Sequence, residues 1–294
     1  MAATDNLNGW LVIDKPAGPS SAKIVGRIKR LAGGRKVGHG GTLDPLATGI
    51  LPIAIGEATK TTAYAMAGRK SYRFTAAWGE ARDTDDCQGK VTETSPVRPT
   101  KRDIDAVLPE FTGEISQTPP VYSALKVSGK RAYALARSGA EVSLAPRRIW
   151  IEKLELVEFE PESAIFEVIC GKGTYIRALA RDVAKRLGTV GHVSQLRRTA
   201  VGPFHENAAI SLDIVETLVH SARLAAHVLP VDTALADIPA LELTESDALR
   251  LRSGQTIAVT GTDRETIRAT SGKRLVALAK IETGRLRPLR VFNF

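Results

Sequence analysis

Short runs of alternating apolar and polar residues recur along the chain and predict a protein built largely on β-strands. The longest run covers residues 148–158, where apolar and charged positions alternate with one change of phase. Residues 163–170 repeat the pattern, so the two runs are predicted to pair as a hairpin. Further strands are predicted at residues 9–15, 70–78, 90–94 and 189–202.

Apolar residues at helical spacing place helices between these strands. Ser20 or Ser21 can cap the first, and an apolar stripe predicts the second over residues 174–187. Residues 57–67 form a third, and Thr100 begins a fourth with the spacing of a capping box. Because strands and helices mix without a regular βαβ repeat, the pattern predicts an α+β domain with a mostly antiparallel central sheet.

A second unit is predicted from Val228 onward. A short apolar segment at 241–244 leads into a helix that ends at Gly254, and three short strands follow, punctuated by glycines. A mostly β module of this size can fold alone. We therefore predict two domains, residues 1–227 and residues 228–294.

Charge narrows the range of partners. The 41 basic and 32 acidic side chains give a net charge of +9, which favours a polyanion such as nucleic acid or an anionic membrane face. A surplus of solvated lysines on the surface would give the same positive net charge without any polyanionic partner. The N-terminus lacks the basic start and apolar run of a signal peptide, and no apolar run approaches a membrane span. The sequence thus predicts a cytoplasmic protein with no membrane segment.

Several chemistries have no motif in the sequence. The two cysteines are too few for a disulfide framework or a zinc cluster, and the five histidines stand in no metal-binding pattern. There is neither a phosphate-binding P-loop nor a dinucleotide fingerprint. We therefore expect no metal and no cofactor.

One glycine-rich stretch displays a single carboxylate. Residues 37–49 read VGHGGTLDPLATG, with Asp44 near the middle and His39 five residues before it. Glycines let the backbone take positive φ and approach a ligand, and Pro45 holds Asp44 extended. Such a carboxylate can act as a nucleophile or a base, although Asp-Pro is also a common start of a turn.

Three other segments carry candidate chemistry. Tyr72 stands among cations at a strand start, an arrangement that suits nucleic acid and equally a tyrosine on a sheet face. After a Pro-Pro pair, Lys126 and Lys130 could follow a phosphate chain, or could belong to an ordinary basic helix. Tyr175 and Arg177 sit at a helix start, where the arginine can aim a distant carboxylate or form a surface salt bridge.

In this order, the segments resemble the bacterial tRNA pseudouridine-55 synthase family, the TruB type. The matching motifs lie between about residue 10 and residue 198, and the final module is similar to a small RNA-binding PUA domain. Family members often carry Thr-Gly-Ala where this chain has Gly40-Gly41-Thr42, a change beside the acid that we expect to be tolerated. The motifs are DKP at 14–16, GHGGTLDPLATG at 38–49, KSYR at 70–73, QTPPVYSALK at 117–126 and GTYIR at 173–177.

The resemblance implies a pseudouridine-synthase domain followed by a PUA-like domain, and it assigns roles to residues. Asp44 matches the catalytic aspartate, Tyr72 the tyrosine that stacks on the target uracil, and Arg177 the arginine paired with the aspartate. It also implies a reaction on the T-arm loop of tRNA without a cofactor or an obligatory protein partner, by a chain expected to be a monomer. The residues expected to contact the substrate are His39, Tyr175, Leu196, Lys15 and Pro16, with Lys126 and Lys130 in the basic segment.

Some alternatives stay open at this level. The carboxylate could attack the sugar or the base, or support a glycal route, and Tyr72 is a candidate base only if its pKa is lowered. The positive charge and the last module also fit an RNA-binding or tRNA-folding protein. A hydrolase for a small anionic substrate is a third reading, which leaves the Tyr72 cluster and the basic segment around 126–137 unexplained.

Overall fold

The computed structural model describes residues 7–123, 125–127, 129–138, 142–219 and 223–294. Its helices are α1 (Ser21–Leu31), α2 (Thr62–Ala67), α3 (Lys101–Val107), α4 (Ala132–Arg137), α5 (Ile176–Arg186), α6 (Leu212–Val219) and α7 (Glu245–Arg252). Its strands are β1 (Gly9–Lys15), β2 (Val37–His39), β3 (Thr48–Ile55), β4 (Lys70–Trp78), β5 (Glu80–Arg82), β6 (Val91–Thr94), β7 (Gly113–Gln117), β8 (Lys126–Val127), β9 (Lys130–Arg131), β10 (Arg147–Glu160), β11 (Ser163–Cys170), β12 (Gly191–Val201), β13 (Phe204–His205), β14 (Val228–Leu229), β15 (Ala240–Glu242), β16 (Ile257–Ala258), β17 (Arg264–Ser271), β18 (Arg274–Glu282) and β19 (Arg285–Val291).

Ten of these strands form one large sheet in the order β14-β1-β3-β12-β4-β11-β10-β7, with β13 beside β12 and β2 beside β3. The predicted α+β class is confirmed, since each pair is antiparallel except β3 with β12. At that parallel contact Gly49 has φ +99°, and a Cβ there would lie 2.1 Å from the Arg198 carbonyl oxygen. Glycine is therefore required where the two strands meet.

Helices α1 and α5 contribute to the main core beside this sheet. Ile24 and Ile28 of α1 and Leu179 and Val183 of α5 are buried, as their spacing predicts. The Ser20 hydroxyl accepts a hydrogen bond from the Lys23 amide and caps α1. Helix α5 begins at Ile176, two residues later than predicted, because Tyr175 keeps an extended backbone as its N-cap.

Local irregularities explain the departures from the predicted elements. The β10–β11 hairpin has two register shifts, after Ile151 and after Leu156, where the pattern showed one change of phase. The helix predicted at 57–67 divides into a 3-10 turn over Gly56–Thr61 and the short α2. Strand β17 was not predicted, because exposed polar residues dominate its first half.

The C-terminal strands form a second sheet in the order β15-β17-β18-β19-β16. Phe292 at its end is buried with Trp10 and Phe204 of the large domain, so the two units share a core. Strand β14 pairs with β1 of the large sheet, and Val231 joins the same shared core. The domain boundary at 227/228 stays a prediction, and the strand pairing favours a later one between residues 235 and 240.

In the ranges given above, no helix combines the length and the apolar character needed to cross a lipid bilayer.

Candidate active site

A cavity of about 490 Å³ opens where the loop after β2, the start of β4, the turn after β5 and the start of α5 meet. It brings together residues that lie far apart in the sequence. Five of the predicted site residues line it, namely Asp44, Tyr72, Tyr175, Arg177 and Leu196. Within the described residues, no three His, Cys, Asp or Glu side chains lie together as a metal site would require.

Asp44 presents its carboxylate at the wall of this cavity. Nε of Arg177 donates to its Oδ2 at 2.9 Å, while 35% of the Asp44 side chain stays exposed. Among the described residues no hydrogen bond is donated to the other oxygen, Oδ1. The carboxylate is thus held at one oxygen and open at the other, as a group that must meet a substrate requires.

Arg177 is itself held rigidly. Its guanidinium, on a side chain only 5% exposed, donates to the Thr84 carbonyl at 2.7 Å and to the Tyr122 carbonyl at 3.0 Å. The carboxylate of Asp86 lies 3.6 Å from its Nε and is as deeply buried. Because three chain segments hold this one planar group, the guanidinium of Arg177 is fixed in position and can keep the Asp44 carboxylate in a single orientation.

Arg198 supports the carboxylate loop from the other side. Its side chain is 1% exposed and donates to the carbonyls of Gly41, Thr42 and Ile50. Arg198 is not among the residues predicted from the sequence to form the site. Its one available signal in the sequence is its place directly after Arg197 in a predicted strand, and that does not reveal which carbonyls it reaches.

Tyr72 stands on β4 beside Arg198, its partner across the β4–β12 pair. Burial raises the pKa of the Tyr72 phenol, so the side chain keeps its proton at neutral pH. This finding speaks against Tyr72 as a resting base. It leaves the ring as the feature that the cavity presents to a ligand.

We expect Tyr72→Phe to retain much more activity than Tyr72→Leu. Phenylalanine keeps the stacking face, whereas leucine loses stacking worth about 1–3 kcal/mol, roughly a tenfold to hundredfold change in kcat/KM. Steady-state assays of the two variants make the comparison. Equal losses in both would show that the hydroxyl, not the ring, is what matters.

The side-chain amide of Gln117 holds the backbone of Tyr175 by two hydrogen bonds. Its amide donates to Oε1 of Gln117 at 2.9 Å, and Nε2 of Gln117 donates back to its carbonyl at 3.1 Å. Burial raises the pKa of the Tyr175 phenol as well. Leu196 on β12 adds an apolar wall to the same cavity.

His39 does not line the cavity but supports its loop. Its Nδ1 accepts a hydrogen bond from the Gly41 amide at 3.2 Å, which places the proton of the neutral ring on Nε2. Burial lowers the pKa of His39, and Arg198 adds to the effect. A substrate contact by His39 therefore stays a prediction.

The structure revises the predicted role of Lys15. Its side chain is 0% exposed, and its Nζ donates to the carbonyls of Pro16, Pro19 and Pro45. A direct substrate contact does not fit such burial. Lys15 instead joins the turn that contains Pro16 to the loop that carries Asp44. Neither Lys15 nor Pro16 lines the cavity.

Burial lowers the pKa of Lys15 from its usual 10.5 to about 8. The unfolded chain then holds this proton over a pH range in which the folded chain releases it, so stability from this group rises from about pH 8 toward 10.5. We expect the free energy of unfolding of the parent protein, relative to Lys15→Met, to increase over that range. Urea unfolding at several pH values measures it, with Lys29→Met, an exposed lysine, as the control. A flat difference would contradict the burial effect.

The two lysines of the basic segment are placed only by their backbone. Lys126 lies in β8 and Lys130 in β9, which pair with each other, and their side chains fall outside the described residues. Their predicted contact with a phosphate chain stays a prediction. Lys70 belongs to the KSYR motif but is not among the predicted site residues. It lines the cavity and donates to the carbonyls of Met66 and Gly68.

The large sheet places an arginine-held aspartate, a partly buried tyrosine and an apolar wall around one cavity. These are the groups that the resemblance to pseudouridine synthases implies, and comparison with known proteins agrees. The model of the TruB family pseudouridylate synthase N-terminal domain matches residues 29–176. That of the tRNA pseudouridylate synthase B C-terminal domain matches residues 177–236. The chain belongs to the TruB family of pseudouridylate synthases.

Relatives extend the match over nearly the whole chain. A protein of Bradyrhizobium diazoefficiens named tRNA pseudouridine synthase B is 53% identical over 98% of this chain and 86% of its own. One of the same name from Rhodospirillum rubrum is 52% identical over 98% of this chain and 97% of its own. Among solved structures, a Cbf5–Nop10–Gar1 complex matches with a TM-score of 0.75 at 28% identity, covering 97% of this chain and 84% of that one.

Proposed function

We propose that the chain is a tRNA pseudouridine-55 synthase, which isomerises the uridine at position 55 in the T-arm loop of tRNA. The observation that carries the proposal is the open oxygen of Asp44 in a cavity that Arg177 and Tyr72 complete. Relatives of about 50% identity that carry the corresponding name support the substrate.

The cavity matches one nucleotide rather than a duplex. At about 490 Å³ it holds a base and its sugar, so the target uridine must leave the stack of its loop before it reacts. Extrusion costs a few kcal/mol, and stacking on Tyr72 with apolar contact to Leu196 offsets this cost.

The reaction balances without an oxidant or a reductant. The N1–C1′ bond breaks, the uracil turns within the cavity, a C5–C1′ bond forms, and the proton of C5 is transferred to N1 through the site or solvent. A carboxylate suits this chemistry because it can attack the sugar or the base, or accept a proton from the sugar on a glycal route. On each of these routes, the reacting group of the enzyme is Asp44.

The partner, the cellular location and the oligomeric state of the chain belong to the same proposal. The net charge of +9 favours a polyanionic partner, as tRNA is. We place the protein in the cytoplasm with its substrate, acting as a monomer. We also propose that the C-terminal sheet is a PUA-like RNA-binding unit, which Arg285, Arg287 and Arg290 at exposed positions of β19 support.

A direct test uses tRNA transcripts that carry tritium at C5 of uridine. Pseudouridine formation replaces the C5–H bond, so the purified protein is expected to release one tritium for each site modified. A transcript with cytidine at position 55 is the control and should release none. Absence of release from the uridine transcript would overturn the proposal.

A second candidate role is assistance of tRNA folding, which the exposed arginines of β19 favour. Cells lacking the protein distinguish the two roles when they express Asp44→Asn. Rescue by this variant would assign the main role to RNA binding, and failure to rescue would assign it to catalysis.

A further inference from the structure

One turn beyond Arg177, a second arginine of α5 reaches the same two loops. NH1 of Arg181 donates to Oδ2 of Asp85 at 2.8 Å, and its NH2 donates to the Thr118 carbonyl at 2.8 Å. Residues four apart on a helix lie on the same face. Both arginines therefore join the turn after β5 to the segment that follows β7.

The turn after β5 connects Arg181 and Asp85 to the groups that hold Arg177, and Arg177 in turn holds Asp44. Asp85 stands between Thr84, whose carbonyl accepts from Arg177, and Asp86, whose carboxylate lies 3.6 Å from the same guanidinium. Asp85 also has φ +58°, a conformation that non-glycine residues adopt at a cost. A displacement of Asp85 thus moves two of the groups that hold Arg177, and through it Asp44.

From this geometry we infer that Arg181 and Asp85 form a positioning pair for the reaction, a clamp that sets the orientation of Arg177 without touching the substrate. Neither residue lines the cavity, whereas Thr84, Asp86 and Arg177 do. The inference rests on the proposed function, since it concerns the catalytic step of that same site.

The charged groups around Asp85 predict how the clamp depends on pH. Arg181, Arg177 and Asp182 face its carboxyl group from α5, and Asp86 adjoins it in the turn. From β12, the Val193 amide donates to the main-chain carbonyl of Asp85. Burial raises the pKa of Asp85 to about 6, against the opposing effect of the two arginines. Below that pH the carboxyl takes up a proton, loses its charge and weakens its hold on Arg181. We therefore expect kcat to fall on the acid side of pH 6.

The experiment compares Arg181→Lys, Asp85→Asn and the double variant with the parent protein in the tritium-release assay. Lysine keeps the charge but cannot reach Asp85 and Thr118 together, and asparagine removes the charge at constant shape. We expect kcat to fall between about tenfold and a hundredfold in each, with tRNA affinity by filter binding unchanged. Because the two residues act as a unit, the double variant should be no worse than the poorer single one.

Arg186→Lys is the matched control, the same substitution on the same helix at an arginine paired with Glu110 at the surface. It should behave as the parent. Asp85→Asn should also lose the acid limb near pH 6. Asp182→Asn should keep an acid limb but shift it to lower pH, because the Asp182 carboxylate contributes to the raised pKa of Asp85. Parent-like kcat in both single variants would overturn the inference, as would losses that follow only melting temperature or tRNA affinity. Absence of release by the parent protein would instead count against the proposed function.

Discussion

Asp44→Asn is expected to abolish turnover while tRNA binding persists. The amide has the shape of the carboxylate, and its oxygen can still accept the hydrogen bond that Nε of Arg177 donates over 2.9 Å. It carries no negative charge with which to attack the nucleotide. Removal of a catalytic nucleophile at constant shape lowers kcat by more than about a thousandfold.

Two measurements check this expectation. Tritium release gives kcat, and filter binding gives the affinity for tRNA, which should stay within a few-fold of the parent value. Asp105→Asn is the control, since this aspartate pairs with Lys101 on the surface of α3. Turnover by Asp44→Asn at more than about a tenth of the parent rate would remove Asp44 from its role.

Arg177→Lys should produce the second largest loss. A lysine keeps the positive charge but cannot donate at once toward Asp44, Thr84 and Tyr122, which surround the guanidinium in three directions. We expect kcat to fall by about a hundredfold or more, because the carboxylate is then no longer aimed. Binding of tRNA should change much less.

Arg177→Met distinguishes the role of Arg177 in orienting the Asp44 carboxylate from its contribution to the stability of the fold. It leaves the buried Asp86 without its cationic neighbour, and an uncompensated buried charge costs about 3–5 kcal/mol. The free energy of unfolding from urea titration should therefore fall in Arg177→Met and much less in Arg177→Lys. If Arg177→Lys turned over at the parent rate, a point charge alone would suffice at this position.

The residues that meet in the site could be named from the sequence because their motifs carry local signals. Asp44 stands among glycines, Tyr72 begins an alternating strand, and Arg177 opens an amphipathic helix. Their separation of up to 133 positions carries no distance information on its own. Only the resemblance to a family placed them together, and the 2.9 Å contact agrees with it.

What the sequence could not supply is the backbone geometry. Lys15 and Arg198 read as ordinary cations, yet both are buried and held by carbonyl oxygens that no side-chain pattern reveals. The same limit hid the parallel β3–β12 contact, because strand partners this distant leave no periodic signal. The contacts of Arg181 leave no signal in the sequence for a related reason, since its partners Asp85 and Thr118 lie in a turn and in an irregular segment.

The pairing of Gly49 with Arg198 has a consequence for how the enzyme comes into being. The two residues are 149 positions apart, from 198 minus 49. The carbonyls of Gly41 and Thr42 can accept their hydrogen bonds only after Arg198 has been synthesised. A ribosome delivers the N-terminal part first. A nascent chain or fragment that ends before β12 therefore lacks the three hydrogen bonds by which Arg198 holds the loop of Asp44 and the strand beside it. We therefore expect catalytic competence to arise only after β12 has been synthesised.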